Sequence, residues 1–260
     1  MSLVKDFEWV SGTTFAYAVR WEVPPIVYRE ITAMTKKAPA TFTVTGHVAP
    51  VTWRGVLTGI AGPKALNAGD PSDIKEEDYR DFTALDANTI EFNGVNAVHL
   101  PDYQSGGVLQ YNTPKSLAGF GARMAVKRKR GITNLVECSV GGVSGATKPT
   151  GAGTDGAVTW VAATSGDPEK EWVAGATYSP GDVLDLQDLI RLTTANGRIV
   201  IDELLFTITL IVSASDVALA VQGWKSGEYE LELFSDDVVP VVTKLLVGTV
   251  TTTKEATSNG

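Results

Sequence analysis

An all-β fold is predicted by three features of this sequence: repeated period-two alternation, turn-forming residues at short intervals, and a composition rich in glycine and proline. The 260 residues include 26 Gly and 12 Pro, with 43% hydrophobic and 20% charged residues, which suits a globular chain with many turns. The expected architecture is an antiparallel β-sandwich interrupted by an inserted small all-β domain and by a Gly-rich lobe. The sandwich is expected to be split over residues 1–29, 113–140 and 197–260, with the inserted domain at 30–112 and the lobe at 141–196.

The elements follow in order. "TTFAYAVRWE" sets Phe15, Tyr17, Val19 and Trp21 against Thr14, Ala16, Ala18 and Arg20, the alternation of a strand with an aromatic face. Pro24 and Pro25 are expected to end it, because proline cannot donate to a ladder. "ITAMT" and "ATFTVT" then read as two short Thr-rich strands around the turn "KKAP". "WRGVLTGI", the two halves of "DFTALDANTIEFNGV" about a turn at Asp86 to Asn88, and "GGVLQYNTP" continue the series. Between them, "GDPSDIKEEDYRDF" is an acidic loop whose apolar anchors are Ile74, Tyr79 and Phe82.

Beyond Pro114, "LAGFGARMAVKRKRG" and "ITNLVECSVGG" are expected to pair as a hairpin. "GGVSGATKPTGAGTDGAVTW" holds too much glycine for a large core and is read as a loop or small lobe. The last stretch supplies four or five strands. In it "EYELELF" turns Tyr229, Leu231 and Leu233 inward and Glu228, Glu230 and Glu232 outward, with "TKLLVGTVTTT" as its returning partner. "SASDVALAV" is expected to form a single helical turn begun by Ser213 or Ser215.

Charge and chemistry narrow the function classes. A net charge of −8 argues against a general nucleic-acid binder, whose affinity comes largely from phosphate contacts. The chain lacks a run of ~18 apolar residues, and acids stand in "MSLVKDFEWV" where a leader would be apolar, so cytoplasmic synthesis without a membrane span is expected. Cys138, the single cysteine, is read as a buried strand residue; a zinc site would have to gather it with His47, His99 and a carboxylate. No cofactor is expected, and the absence of GxSxG, P-loop and GxGxxG patterns in context leaves enzymatic classes unsupported. Asp73, Glu76, Glu77, Asp78 and Asp81 are interleaved with Lys75 and Arg80 as on a solvated face. Asp182, Asp185 and Asp188 stand three apart, compatible with a helix face or a calcium site but not with EF-hand spacing.

Two stretches are candidate contact sites. The basic run Lys127, Arg128, Lys129 and Arg130 is read as a strand end with Arg123, Lys127 and Lys129 toward solvent, discouraging edge pairing; contact with nucleic acid or an acidic neighbouring subunit is the other reading. In "EWVAGATYSPGDVL", Trp172 and Tyr178 either form a small core or stack on a sugar.

The segments "SGTTFAYAVRWE", "LAGFGARMAVKRK" and "GEYELELF" with "VTKLLVGTVTTT" resemble the β-sandwich of bacteriophage tail-fibre and baseplate proteins, a group that includes long-tail-fibre proximal subunits and baseplate upper proteins. "ITAMTKKAPATFTVTGH", "GVLTGIAG" and "DFTALDANTIEFNGVNAVHLPDYQSGGVLQ" resemble a small β module related to the first catalytic-cysteine half-domain of ubiquitin-activating enzymes, which recurs in phage structural proteins. No enzymatic property comes with that likeness. Trp172, Tyr178, Gly181 and Asp182 are similar in spacing to small chitin-binding-like modules. Together the resemblances imply a non-enzymatic virion protein, tail-associated and oligomeric, whose partners are other tail, fibre or capsid subunits. Capsid decoration is the second expectation, and a host-glycan-binding module acting through Trp172, Tyr178 and Asp182 is the third.

Overall fold

The computed structural model describes residues 3–163, 166, 168, 170–235 and 241–254, with the side chains of residues 23–25 outside that description. In chain order the strands are β1 (Leu3–Val4), β2 (Phe7–Val10), β3 (Phe15–Arg20), β4 (Glu22–Glu30), β5 (Ala33–Thr35), β6 (Ala40–Thr43), β7 (Thr52–Thr58), β8 (Arg80–Asp86), β9 (Thr89–Phe92) and β10 (Val108–Pro114). They continue as β11 (Phe120–Lys127), β12 (Leu135–Val140), β13 (Gly142–Val143), β14 (Gly153–Asp155), β15 (Val158–Ala162), β16 (Thr177–Tyr178), β17 (Val183–Asp185), β18 (Asp188–Thr193), β19 (Ile199–Asp202) and β20 (Thr207–Val212). A helix, α1 (Ala214–Gly223), precedes β21 (Ser226–Ser235) and β22 (Val242–Thr253). The protein is all-β, and two compact units divide it: Met1–Ala18 with Gly119–Ile201 and Ile208–Gly260, and Val19–Ala118 with Asp202–Thr207.

The second unit is built on a seven-stranded sheet ordered β4-β10-β7-β8-β9-β6-β5. Ile31, Phe42, Trp53, Phe82, Ile90, Phe92, Leu109 and Tyr111 fill its core. β9 and the start of β10 alternate buried with less buried residues, as half-buried antiparallel strands do, whereas β6 and the end of β7 are buried in succession. The double proline does not end the first long strand. Asn112 pairs with Ile26 and Thr113 with Val23, so Pro24 and Pro25 fall in a bulge. β4 is an edge strand, where an absent N–H leaves no ladder bond unmade.

The first unit holds a sheet ordered β1-β22-β21-β11-β18, with β2 also on β22. Ala122, Met124, Val126, Tyr229, Leu231 and Leu233 are its buried face. Phe7 and Trp9 join that core; Phe7 stacks on Tyr229 with centroids 5.1 Å apart, and Trp9 meets Trp224 at 5.8 Å. The N-terminal strands lie parallel to β22, so the sheet is not purely antiparallel. α1 runs for 10 residues rather than one turn, capped by the Ser213 side chain, which accepts from Asp216 N, and it buries Val217 and Ala220.

The expected β11/β12 hairpin does not form. β11 has β21 on one side and β18 on the other, so no edge remains for β12. That strand instead enters a small sheet ordered β14-β15-β12-β17. Val136, Cys138, Val158, Trp160, Tyr178 and Leu184 form the core of this lobe, with Trp172 packed against it. Residues on both sides of the expected 141–196 boundary are therefore exchanged: β12 belongs to the lobe's sheet and β18 to the larger one.

Candidate functional site

The six-stranded sheet is apolar on one face and charged on the other. Register sets Glu232 opposite Arg123, Glu230 opposite Ala125 and Glu228 opposite Lys127. A cleft of about 330 Å³ opens over this face, bounded by β11, β21, Arg191 of β18 and Asp185 of β17. Arg123 Nε donates to Glu232 at 3.0 Å, and Lys244 Nζ to Glu230 at 3.0 Å.

At its inner end the cleft meets a chain of ion pairs. Lys127 Nζ lies 2.6 Å from Asp185 Oδ2 and 3.7 Å from Asp188 Oδ1. Arg191 Nη1 lies 2.5 Å from Asp188 Oδ2. Glu171 accepts from Arg191 N at 2.7 Å and from Arg198 Nη1 at 2.7 Å, and Arg198 Nη2 reaches Asp216 at 2.9 Å. Lys148 Nζ donates to the Asp188 carbonyl at 2.6 Å. Asp185 and Asp188 are 0% and 1% exposed, so these charges are held away from water and depend on one another.

The two aspartates diverge. Burial raises Asp188 above the usual carboxylate range by more than Arg191 and Lys127 lower it. Burial also acts upward on Asp185, yet the Lys127 hydrogen bond and the backbone N–H groups of Asn134 and Gln187 outweigh it and hold that carboxyl low. Asp188 Oδ1 and Arg191 Nε are buried without a hydrogen-bond partner among the described residues.

The basic run is therefore divided. Lys127 turns inward to two carboxylates, and Arg123 is half-buried against Glu232, so neither points to solvent as expected. Arg128, Lys129 and Arg130 are exposed, Arg130 giving its backbone N–H to Glu228 at 2.9 Å. The three evenly spaced acids fall on and beside strands rather than along a helix: Asp182 pairs with Lys170 at 2.7 Å, Asp185 with Lys127 and Asp188 with Arg191. Among the described residues no three His, Cys, Asp or Glu side chains gather as metal ligands.

The proposed sugar platform is likewise redistributed. Tyr178 is 3% exposed, its ring edge-on to Trp160 and its hydroxyl accepting from Val173 N and donating to Glu171 O. No face of that ring is open to a sugar. Trp172 is half-buried, its indole N–H donating to Asp155 at 2.7 Å. His47 is buried, with ring nitrogens bonded to Asp86 O and Ala49 N, and Cys138 lies in the lobe core, where burial raises its thiol.

Sequence reasoning singled out Lys127, Asp185 and Asp188 separately but missed that they meet. It missed Arg191, Glu171 and Arg198 altogether; the signal available for Arg191 was a charge inside the largely apolar strand β18, whereas Glu171 and Arg198 lie outside the strands and carry no such signal. No protein-family model matches the sequence, and no curated protein matches it. No helix among the described residues is long and apolar enough to cross a membrane.

Proposed function

We infer that the protein is a non-enzymatic structural component of a tailed bacteriophage particle, attached at the fibre or baseplate through protein-protein contacts. The observation that carries this reading is the open edge at β4. Among the described residues the strand pairs on one side only, with β10, and leaves Ile26 41% and Tyr28 57% exposed. An edge strand with apolar side chains is a surface on which another β element can dock. The segments "GEYELELF" and "VTKLLVGTVTTT", on which the likeness to tail-fibre and baseplate sandwiches rests, lie on β21 and β22, which pair antiparallel. Its connection at residues 236–240 lies outside the described residues.

The test is gold-labelled antibody imaging of particles, with an antibody against the 30–112 module. Label at the tail or fibres is the expected result, and label on the shell would move the assignment to capsid decoration. Absence of both label and the protein's peptides from purified particles would remove the virion reading. Tyr28→Lys is expected to weaken incorporation into particles while leaving the melting temperature of the isolated chain unchanged.

A further inference from the structure

We propose that Lys127 and Asp185 condense to a side-chain amide inside the folded protein, with Asp188 as the proton carrier. The pair is set for this reaction by position. Nζ of Lys127 lies 2.6 Å from Asp185 Oδ2, which holds the nitrogen beside the neighbouring carboxyl carbon. Reacting groups fixed at such range reach effective molarities of about 10⁵–10⁸ M in well-oriented systems.

The remaining atoms fit the roles the reaction needs. Asp185 Oδ1 accepts the backbone N–H groups of Asn134 at 2.9 Å and Gln187 at 3.0 Å. These two donors would stabilise the negative charge that develops on that oxygen during attack, as in an oxyanion hole. Arg191 holds Oδ2 of Asp188 and leaves Oδ1, without a hydrogen-bond partner, 3.7 Å from Nζ. Burial makes the Asp188 carboxylate more basic than usual, which suits a group that must take a proton and return it.

The step balances without a co-reactant. The ammonium first passes one proton to Asp185 Oδ2 along their hydrogen bond, an uphill transfer because that carboxyl is held low, giving an amine and a carboxylic acid. Nζ attacks Cγ, the Nζ–Cγ bond forms, and the electron pair moves onto Oδ1. Asp188 takes a second proton from nitrogen and delivers it to Oδ2. The Cγ–Oδ2 bond breaks, water leaves, and Nζ keeps one hydrogen. The two residues are 58 apart, so the amide would close a covalent ring around the Gly-rich lobe and tie it to β11. This inference does not depend on the particle reading.

The experiment is intact-mass measurement of the purified full chain in denaturant, compared with Lys127→Arg and Asp188→Asn. The wild type is expected one water lighter than its sequence requires, with both variants at full mass. A proteolytic digest should yield a branched peptide joining Lys127 to Asp185. A wild type at full sequence mass overturns the proposal without reference to any variant. So does a water loss that persists in Lys127→Arg, which would mean dehydration elsewhere, such as a succinimide at Asp155-Gly156. Full crosslinking in Asp188→Asn would overturn the role of that carboxylate.

Discussion

At Arg54 one guanidinium joins three partners. It reaches Glu22 at 2.5 Å, bonds Glu76, and lies 4.8 Å over the Tyr79 ring. Burial alone would lower its pKa, but the two carboxylates more than offset that and raise it. The group joins β7, β4 and the acidic loop, and hydrogen bonds to charged partners are worth ~1.5–3 kcal/mol each before solvent screening. Arg54→Ala should cost about 2 kcal/mol in urea denaturation, read as a shift in midpoint with an unchanged slope. Trp160 is the largest side chain in the lobe core. Trp160→Ala should cost ~3–5 kcal/mol, seen as loss of hydrogen-exchange protection across β12, β15 and β17. Full retention of that protection would show that the lobe core is not what orders these strands. Residue-level facing was largely legible: Tyr229, Leu231 and Leu233 are inward, as period two dictates. The fate of Lys127 was not legible, because its acceptors lie far along the chain.

At the level of elements, the parallel seam of β1 and β2 on β22 is the most sensitive feature. A Cβ on Gly248 would lie 2.0 Å from the Lys5 carbonyl oxygen, and no rotamer change moves a backbone atom. Gly248→Ala should therefore detach residues 3–10, detected as early proteolytic cleavage there while the hairpin of β21 and β22 stays resistant. Asp6 pins the same seam by accepting Thr249 N and Thr249 Oγ1, both at 2.8 Å, and these bonds hold its pKa below 3.8. A folded-state pKa depressed in this way contributes stability that is present above the unfolded value and lost as pH falls through the folded one. Amide exchange in residues 3–10 should accelerate below about pH 3.8 in the wild type, and Asp6→Asn should remove that pH dependence. The seam escaped sequence reasoning because β1 and β2 have 2 and 4 residues, too few for periodicity to register. The helix was placed correctly by its Ser213 cap but shortened, since the cap marks a start and carries no length.

At the level of the whole molecule, the 19–118 segment supplies nearly all of the aromatic core of its unit, from Phe42 to Tyr111. Expressed alone it should unfold cooperatively on heating, with Phe206, packed against Trp53 at 5.9 Å, as the contribution it lacks. A gradual, non-cooperative melt would mean that the Asp202–Thr207 segment is needed for folding. By itself the sequence determined the all-β class and the inward and outward faces of β21, where Tyr229, Leu231 and Leu233 are buried. These follow from alternation and turn chemistry, which act over a few residues. Only the tertiary structure decided that β11 is flanked by β18 and β21 instead of β12, and that Lys127 meets Asp185 and Asp188. Strand partners and buried charge pairs depend on which surfaces compete for the same edge or the same carboxylate, and those competitors are dozens of residues apart.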